Sequence, residues 1–112
     1  MLRCTHDIDI APIEEAKAIR IAKLLKVFGD PGRIQILSVL VDKEVCVSHI
    51  AEAIGKSVSA VSHQLSILRS HSIVRYVRDG KNTYYTLDDK HVEDVLKSGI
   101  EHIDHIDHAT KG

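Results

Sequence analysis

The sequence predicts an α+β, mainly helical fold of four helices, a two-stranded hairpin and a closing helix. Three observations carry this. Apolar residues recur at helical spacing in four successive segments between positions 13 and 70. The period then shifts to runs rich in Val, Tyr and Thr at 73–78 and 82–87, with Asp79-Gly80 between them, the signature of a β-hairpin. Helical spacing resumes after Asp89. A short helix, a tight turn containing glycine, a second helix and then a hairpin make a winged helix-turn-helix.

Each element has a local reason. The first helix, 13–28, carries Ala18, Ile21, Ala22, Leu25 and Phe28 on one stripe, with Glu14 and Glu15 in the first turn where the helix dipole favours acids. Gly29 ends it. Asp30-Pro31 starts the second helix, with Asp as N-cap and Pro at the first helical position. Ile34, Leu37 and Val41 form its buried stripe, with Ile36 and Leu40 alongside, and Asp42-Lys43 turns the chain. Residues 47–54 make the third helix, with Ser48 as the expected N-cap and Gly55 closing it. After a Lys56-Ser57 turn, the fourth helix runs to about Ser70, with Val58, Val61, Leu65 and Leu68 on one face and Ser59, Ser62, His63 and Ser66 towards the other. Asp88 or Asp89 caps the last helix, which reaches about His108.

The 112 residues suit one domain, read as a flexible arm at 1–12 and a folded unit at 13–108. No apolar run approaches a membrane span, and residues 1–12 lack the apolar core of a secretory signal, so a cytoplasmic protein is expected. Two cysteines are too few for a disulfide framework. The net charge of −1 conceals an asymmetry: residues 56–85 hold five basic side chains and one acid, whereas 86–112 hold three lysines and seven acids. Four of the eight histidines fall in the last 22 positions. A basic middle beside an acidic, histidine-bearing tail suggests one surface for a polyanion and another for a cation.

The polyanion surface is read as double-stranded DNA. Ile50, Ala51, Ile54, Gly55 and Val61 set the two helices against each other, and the second projects a polar face that suits a major groove about 12 Å wide. Ser59, Ser62, His63 and Gln64 lie early on that helix, where base edges or phosphates are reached; Ser57 doubles as N-cap and phosphate contact. At the hairpin tip, Arg78 and Lys81 offer cations to a neighbouring phosphate or minor groove. The competing reading is a solvated polar face, or a winged helix that binds protein.

For the cation, Asp89, His91, His102 and His105 are the ligand-type residues. His91 and His102 share a helix face but stand roughly 16 Å apart along it, whereas a zinc ligand sits about 2.0–2.1 Å from its metal. One helix cannot close the site. Two copies laid antiparallel can: Asp89 meets His105 and His91 meets His102 in a single register, with small Ser98 and Gly99 near the crossing. The expectation is a homodimer packed through its terminal helices, with two symmetry-related sites of three imidazoles and one carboxylate. That set suits Zn(II), with Co(II) or Ni(II) as alternatives. His108 extends the row, and a six-coordinate nickel or cobalt site would recruit it; the alternative, which the sequence favours, is a frayed, solvent-exposed end. Cys4, His6, Cys46 and His49 are a looser second set. Solvated histidines on an acidic helix, and a buried Cys46 acting as a small hydrophobe, are the alternatives.

Residues 24–105 resemble the ArsR/SmtB family of metal-sensing transcriptional repressors. The resemblance is carried by Phe28-Gly-Asp-Pro-Gly-Arg-Ile-Gln-Ile-Leu37, Glu44-Val-Cys-Val-Ser-His-Ile-Ala51, Ser59-Ala-Val-Ser-His-Gln-Leu65, Asp79-Gly80 through Tyr84-Tyr85, and Asp89-x-His91 with His102-x-x-His105. The last motif is similar to the C-terminal-helix site of the zinc and cobalt sensors. The Cys-Val-Cys of arsenic, cadmium and lead sensors reads Cys46-Val47-Ser48 here, which breaks the thiolate pair. The resemblance implies a repressor whose apo dimer binds an inverted repeat and whose metal-bound form releases it, freeing genes of metal efflux or sequestration. It also implies that His102 reaches a backbone carbonyl in the 70–72 loop. A nickel or cobalt sensor with extra tail ligands, and a metal-independent thiol regulator using Cys4 and Cys46, are the rival regulators. A metal buffer without a DNA role, and a Cys46–His49 enzyme, are the rivals of other classes. No small organic substrate is expected.

Overall fold

The computed structural model describes residues 10–111. Its elements are α1 (Glu15–Phe28), α2 (Pro31–Val39), α3 (Val47–Ile54), α4 (Val58–Ser70), β1 (Val74–Asp79), β2 (Asn82–Leu87) and α5 (Lys90–Lys111). Residues 1–9 of the expected arm, with Cys4 and His6, lie outside the described residues.

Short-range chemistry sets the boundaries. The Asp30 carboxylate accepts a hydrogen bond from the Arg33 N–H at 3.0 Å, and Pro31 follows at the first helical position. Gly55 takes the left-handed conformation, φ 69°, and its N–H reaches the carbonyls of Ala51 and Glu52 to stop α3. Ser57 then caps α4 by accepting from the Ala60 N–H at 3.1 Å. At α3 the expected cap is displaced: Cys46 is the N-cap residue, and Ser48 lies inside the first turn with its hydroxyl 3.3 Å from the Cys46 sulfur.

The core is one aliphatic cluster. Ile36, Leu37, Leu40, Ile50, Val61, Leu65, Leu68, Ile73 and Val74 are almost fully buried, and Phe28, Leu87 and Leu96 close its edges. The stripe of α2 is centred on Ile36, Leu37 and Leu40, with Ile34 and Val41 only partly covered, a shift of the expected face. On α1 only Val27 and Phe28 are buried, while Ile21 and Leu25 face out. Val58 does not join the buried apolar face of α4: it sits at the first helical position and is 47% exposed.

β1 and β2 pair antiparallel from Val74↔Leu87 to Asp79↔Asn82. The hairpin loop is therefore Gly80-Lys81, with Gly80 at φ 62°, one residue later than Asp79-Gly80 implied. Val45 and Tyr85 exchange both backbone hydrogen bonds, at 2.9 and 2.8 Å, fastening the loop before α3 to the wing.

Candidate nucleic-acid interface and metal half-sites

Helices α3 and α4 meet through buried Ile50, Ala51 and Val61. That contact leaves Ser59, Ser62 and His63 exposed on α4, beside Ser57 at its start. Gln64 is half-buried and turned towards α2. Its side-chain oxygen accepts from Arg33 Nε at 2.8 Å, and a second Arg33 nitrogen donates to the Val27 carbonyl at 3.3 Å. The Gln64 amide N–H groups remain as its donors to an external acceptor. Gly32, Lys56, His63 and Gln64 border a cleft of about 200 Å³ beside this face. Arg78 and Lys81 are exposed on the wing.

Sequence reasoning missed a feature of the same face. The Arg69 guanidinium, at the end of α4, lies 4.4 Å from the centroid of the Tyr76 ring, and that of Arg78 lies 5.5 Å from it. Both are within cation–π range. The local excess of basic residues was the only signal available, because it names neither the ring nor the pairing.

At the other end of the wing, Asp89 sits just before α5 and accepts from the Val92 N–H at 3.1 Å. This non-helical position lets it approach His91, whose Nδ1 is 3.6 Å from an Asp89 oxygen although the two are only two residues apart. The Val92 N–H, and then the neighbouring His91, hold the Asp89 carboxyl below its ordinary range. His91 is 94% exposed. His102, His105 and His108 are exposed along the second half of α5. Among the described residues, no three His, Cys, Asp or Glu side chains converge as a metal site within one chain. The chain thus carries two separated sets of donors, Asp89 with His91 and His102 with His105.

The thiol of Cys46 is half-buried. The Ser48 hydroxyl, and then the backbone N–H of His49, lower its pKa. Whether Cys4 and His6 join Cys46 and His49 lies outside the described residues.

Between α5 and the junction of α1 with α2 the apolar side chains Phe28, Ile34, Val95, Leu96, Ile100 and Ile103 line a groove of about 500 Å³. Ile100, Ile103 and Ile106 continue an exposed apolar row along α5, and Ile21, Leu24 and Leu25 form another on α1, with Ile19 exposed on the opposite side of that helix. Uncovered aliphatic surface of this extent marks an interaction face. No helix among the described residues is long and apolar enough to cross a membrane.

Residues 30–76 match the family described as "Bacterial regulatory protein, arsR family". The chain is 41% identical over 91 residues to the Transcriptional repressor SmtB homolog of Synechocystis sp., covering 81% of this chain and 69% of that protein. It is 38% identical over 96 residues to the HTH-type transcriptional regulator NmtR of Mycobacterium tuberculosis, covering 86% and 80%. In structure it is similar to the homodimeric winged helix-turn-helix DNA-binding domain of a possible ArsR-family transcriptional regulator from Mycobacterium bovis. The TM-score is 0.72 and the identity 28%, over 85% of this chain and 91% of that one.

Proposed function

Because the chain belongs to the arsR family of bacterial regulatory proteins, the ArsR/SmtB metal-sensing transcriptional repressors, we propose that it is a cytoplasmic homodimeric repressor released from its operator by Zn(II). The observation that carries the metal half of this reading is the separation of the two donor pairs on one helix. A donor pair at the start of α5 and a second pair about eleven residues on, roughly 16 Å away, serve one ion only if a second copy lies antiparallel. Asp89 and His91 of one protomer would then hold the metal with His102 and His105 of the other, and the two-fold axis repeats the site. The donor chemistry fits: three imidazoles and an ionised carboxylate make a nitrogen- and oxygen-rich tetrahedral set suited to Zn(II), which Co(II) also accepts. The exposed apolar rows of α1 and α5 are the surface such a dimer buries.

In the apo dimer two copies of α4 enter successive major grooves of an inverted repeat. Ser59, Ser62 and His63 face the bases, with Ser57, Arg78 and Lys81 on phosphates and Gln64 presenting only its amide N–H groups. Metal held between the α5 helices fixes the relative placement of the two α4 helices and disfavours the DNA-bound form. Linkage then requires DNA to weaken metal binding by the same factor. His102 donating its second ring N–H to the 70–72 loop would connect the metal to the end of α4.

A subunit-mixing experiment tests the reading. Neither the Asp89→Ala/His91→Ala protein nor the His102→Ala/His105→Ala protein should bind Zn(II) tightly. An equimolar mixture after subunit exchange should regain one intact site per heterodimer, measured by competition with a chromophoric chelator. A mixture no better than its components refutes the shared site. Wild-type protein whose hold on duplex selected from a random pool is unchanged by Zn(II) refutes the switch.

A further inference from the structure

The three side chains Arg69, Tyr76 and Arg78 are not used by the reading above as a unit, and their geometry points to one. We propose that Tyr76 holds Arg69 and Arg78 as a paired-guanidinium grip on the DNA backbone, joining the end of α4 to the wing in one phosphate-binding surface. The inference rests on the DNA-binding reading and deepens it, by adding Arg69 as a contact and Tyr76 as a positioning residue.

The ring is fixed before any arginine touches it. Tyr76 pairs with Tyr85 across the hairpin, and the two rings meet edge to face with centroids 6.3 Å apart and planes at 61°. Tyr85 is itself fastened by its paired backbone bonds to Val45. On the pleat, Val74, Tyr76 and Arg78 share one face of β1, and Val74 anchors that face in the core. Arg78 therefore lies over Tyr76 from within the strand, and Arg69 arrives from the last turn of α4. Arg75 lies on the other face of β1.

Two like charges against one ring call for an anion. None of the ion pairs among the described residues involves Arg69 or Arg78, and both side chains are exposed. A guanidinium stacked on an aromatic face keeps its N–H groups available in its own plane, the geometry that grips a phosphate with two parallel bonds. The grip lies between the exposed face of α4 and the wing tip with Lys81, so a strand passing from the recognition helix to the wing crosses it. Phosphate contacts of this kind add affinity and register without reading sequence.

The salt dependence of duplex binding, measured with the full-length protein, tests this. Arg69→Gln should weaken binding and flatten the plot of log affinity against log salt by about 0.9 per protomer, about two for the dimer. Arg69→Lys should restore most of the slope, because charge suffices for counterion release. Tyr76→Phe keeps the ring and should match wild type. Tyr76→Leu should lose affinity with both arginines still present, and its thermal unfolding reports whether the wing remains folded. An unchanged slope in Arg69→Gln, or equal loss in Tyr76→Phe and Tyr76→Leu, overturns the grip. If Arg69→Gln loses its slope while Tyr76→Leu keeps wild-type affinity, the positioning role of Tyr76 is overturned. A wild-type protein without salt-dependent affinity for duplex overturns the DNA reading itself. Normal wild-type binding and Zn(II) response with an indifferent Arg69→Gln overturns only the grip.

Discussion

Replacing Arg33 with methionine tests how the recognition helix is held. Arg33 donates to the Gln64 side-chain oxygen at 2.8 Å and to the Val27 carbonyl at 3.3 Å, so one side chain ties α1, α2 and α4 together. A hydrogen bond with a charged partner contributes about 1.5–3 kcal/mol, and the longer bond falls at the weak end of the distance range. The loss expected for Arg33→Met is therefore about 2–3 kcal/mol, most of it through Gln64. Gln64→Leu should cost about 1–2 kcal/mol, and the double variant little more than Arg33→Met alone, a coupling of about 1–2 kcal/mol. Urea unfolding at one fixed protomer concentration measures all four proteins, because dimerisation makes apparent stability concentration-dependent. Additivity of the two substitutions to within about 0.3–0.5 kcal/mol would refute the tie. Gln64→Glu separates stability from function: the carboxylate pairs with Arg33 and preserves stability, but it places an anion on the DNA side, so duplex affinity should fall.

Three shorter tests bear on other elements. Gly55→Ala meets no atom within 4 Å, so its cost is that of a left-handed backbone alone, about 1–2 kcal/mol in the same urea assay. In a Cys4→Ser background, alkylation of Cys46 by iodoacetamide should have its pH midpoint below that of an ordinary thiol, because the lowered pKa exposes thiolate at lower pH; Ser48→Ala should move the midpoint up. Asp88 donates to the Ile73 carbonyl at 2.9 Å and Ile73 to that of Leu68 at 2.9 Å, linking the start of α5 to the end of α4. Zn(II) should slow amide hydrogen exchange at Asp88 and Ile73, and slowing confined to α5 would exclude this route.

Much of this fold was legible because short-range chemistry decides it. Asp30-Pro31, Gly55 and Ser57 act on backbone groups within three or four residues, and each sits where its chemistry requires. Asp89 belongs with them: a carboxylate just outside the helix both caps it and reaches His91. What periodicity could not reveal is long-range. Gln64 reads as one more polar residue on an exposed face, and only the arrival of Arg33 from 31 positions away shows where its oxygen points. Tyr76 reads as a strand aromatic until α4 delivers Arg69 to its ring. Cys46 displaced Ser48 as cap because the chain enters α3 extended at 46, pinned one residue earlier by the Val45–Tyr85 bridge.

The division of labour along α5 follows from what each half packs against. Its first two turns put Leu96 in the core, with Glu93 buried beside it and paired to Lys97 at 3.1 Å. From 97 to 109 every residue is exposed. A helical stretch of that length gains little from its own hydrogen bonds in water, since isolated helices shorter than about 12–15 residues are marginal. Ordering the backbone of those residues costs about 1–2 kcal/mol each, and the partial cover of Ile100 and Ile103 beside Phe28 and Ile34 offsets little of it. The half bearing His102 and His105 is therefore the part whose stability depends most on what lies outside the protomer. A second copy supplies an apolar surface for the isoleucine row, and a shared cation would fasten the two histidines to donors that the core already holds in place. A switch belongs at the low-stability end of a fold, because a coupling free energy of about 1–3 kcal/mol can reset it without unfolding the rest.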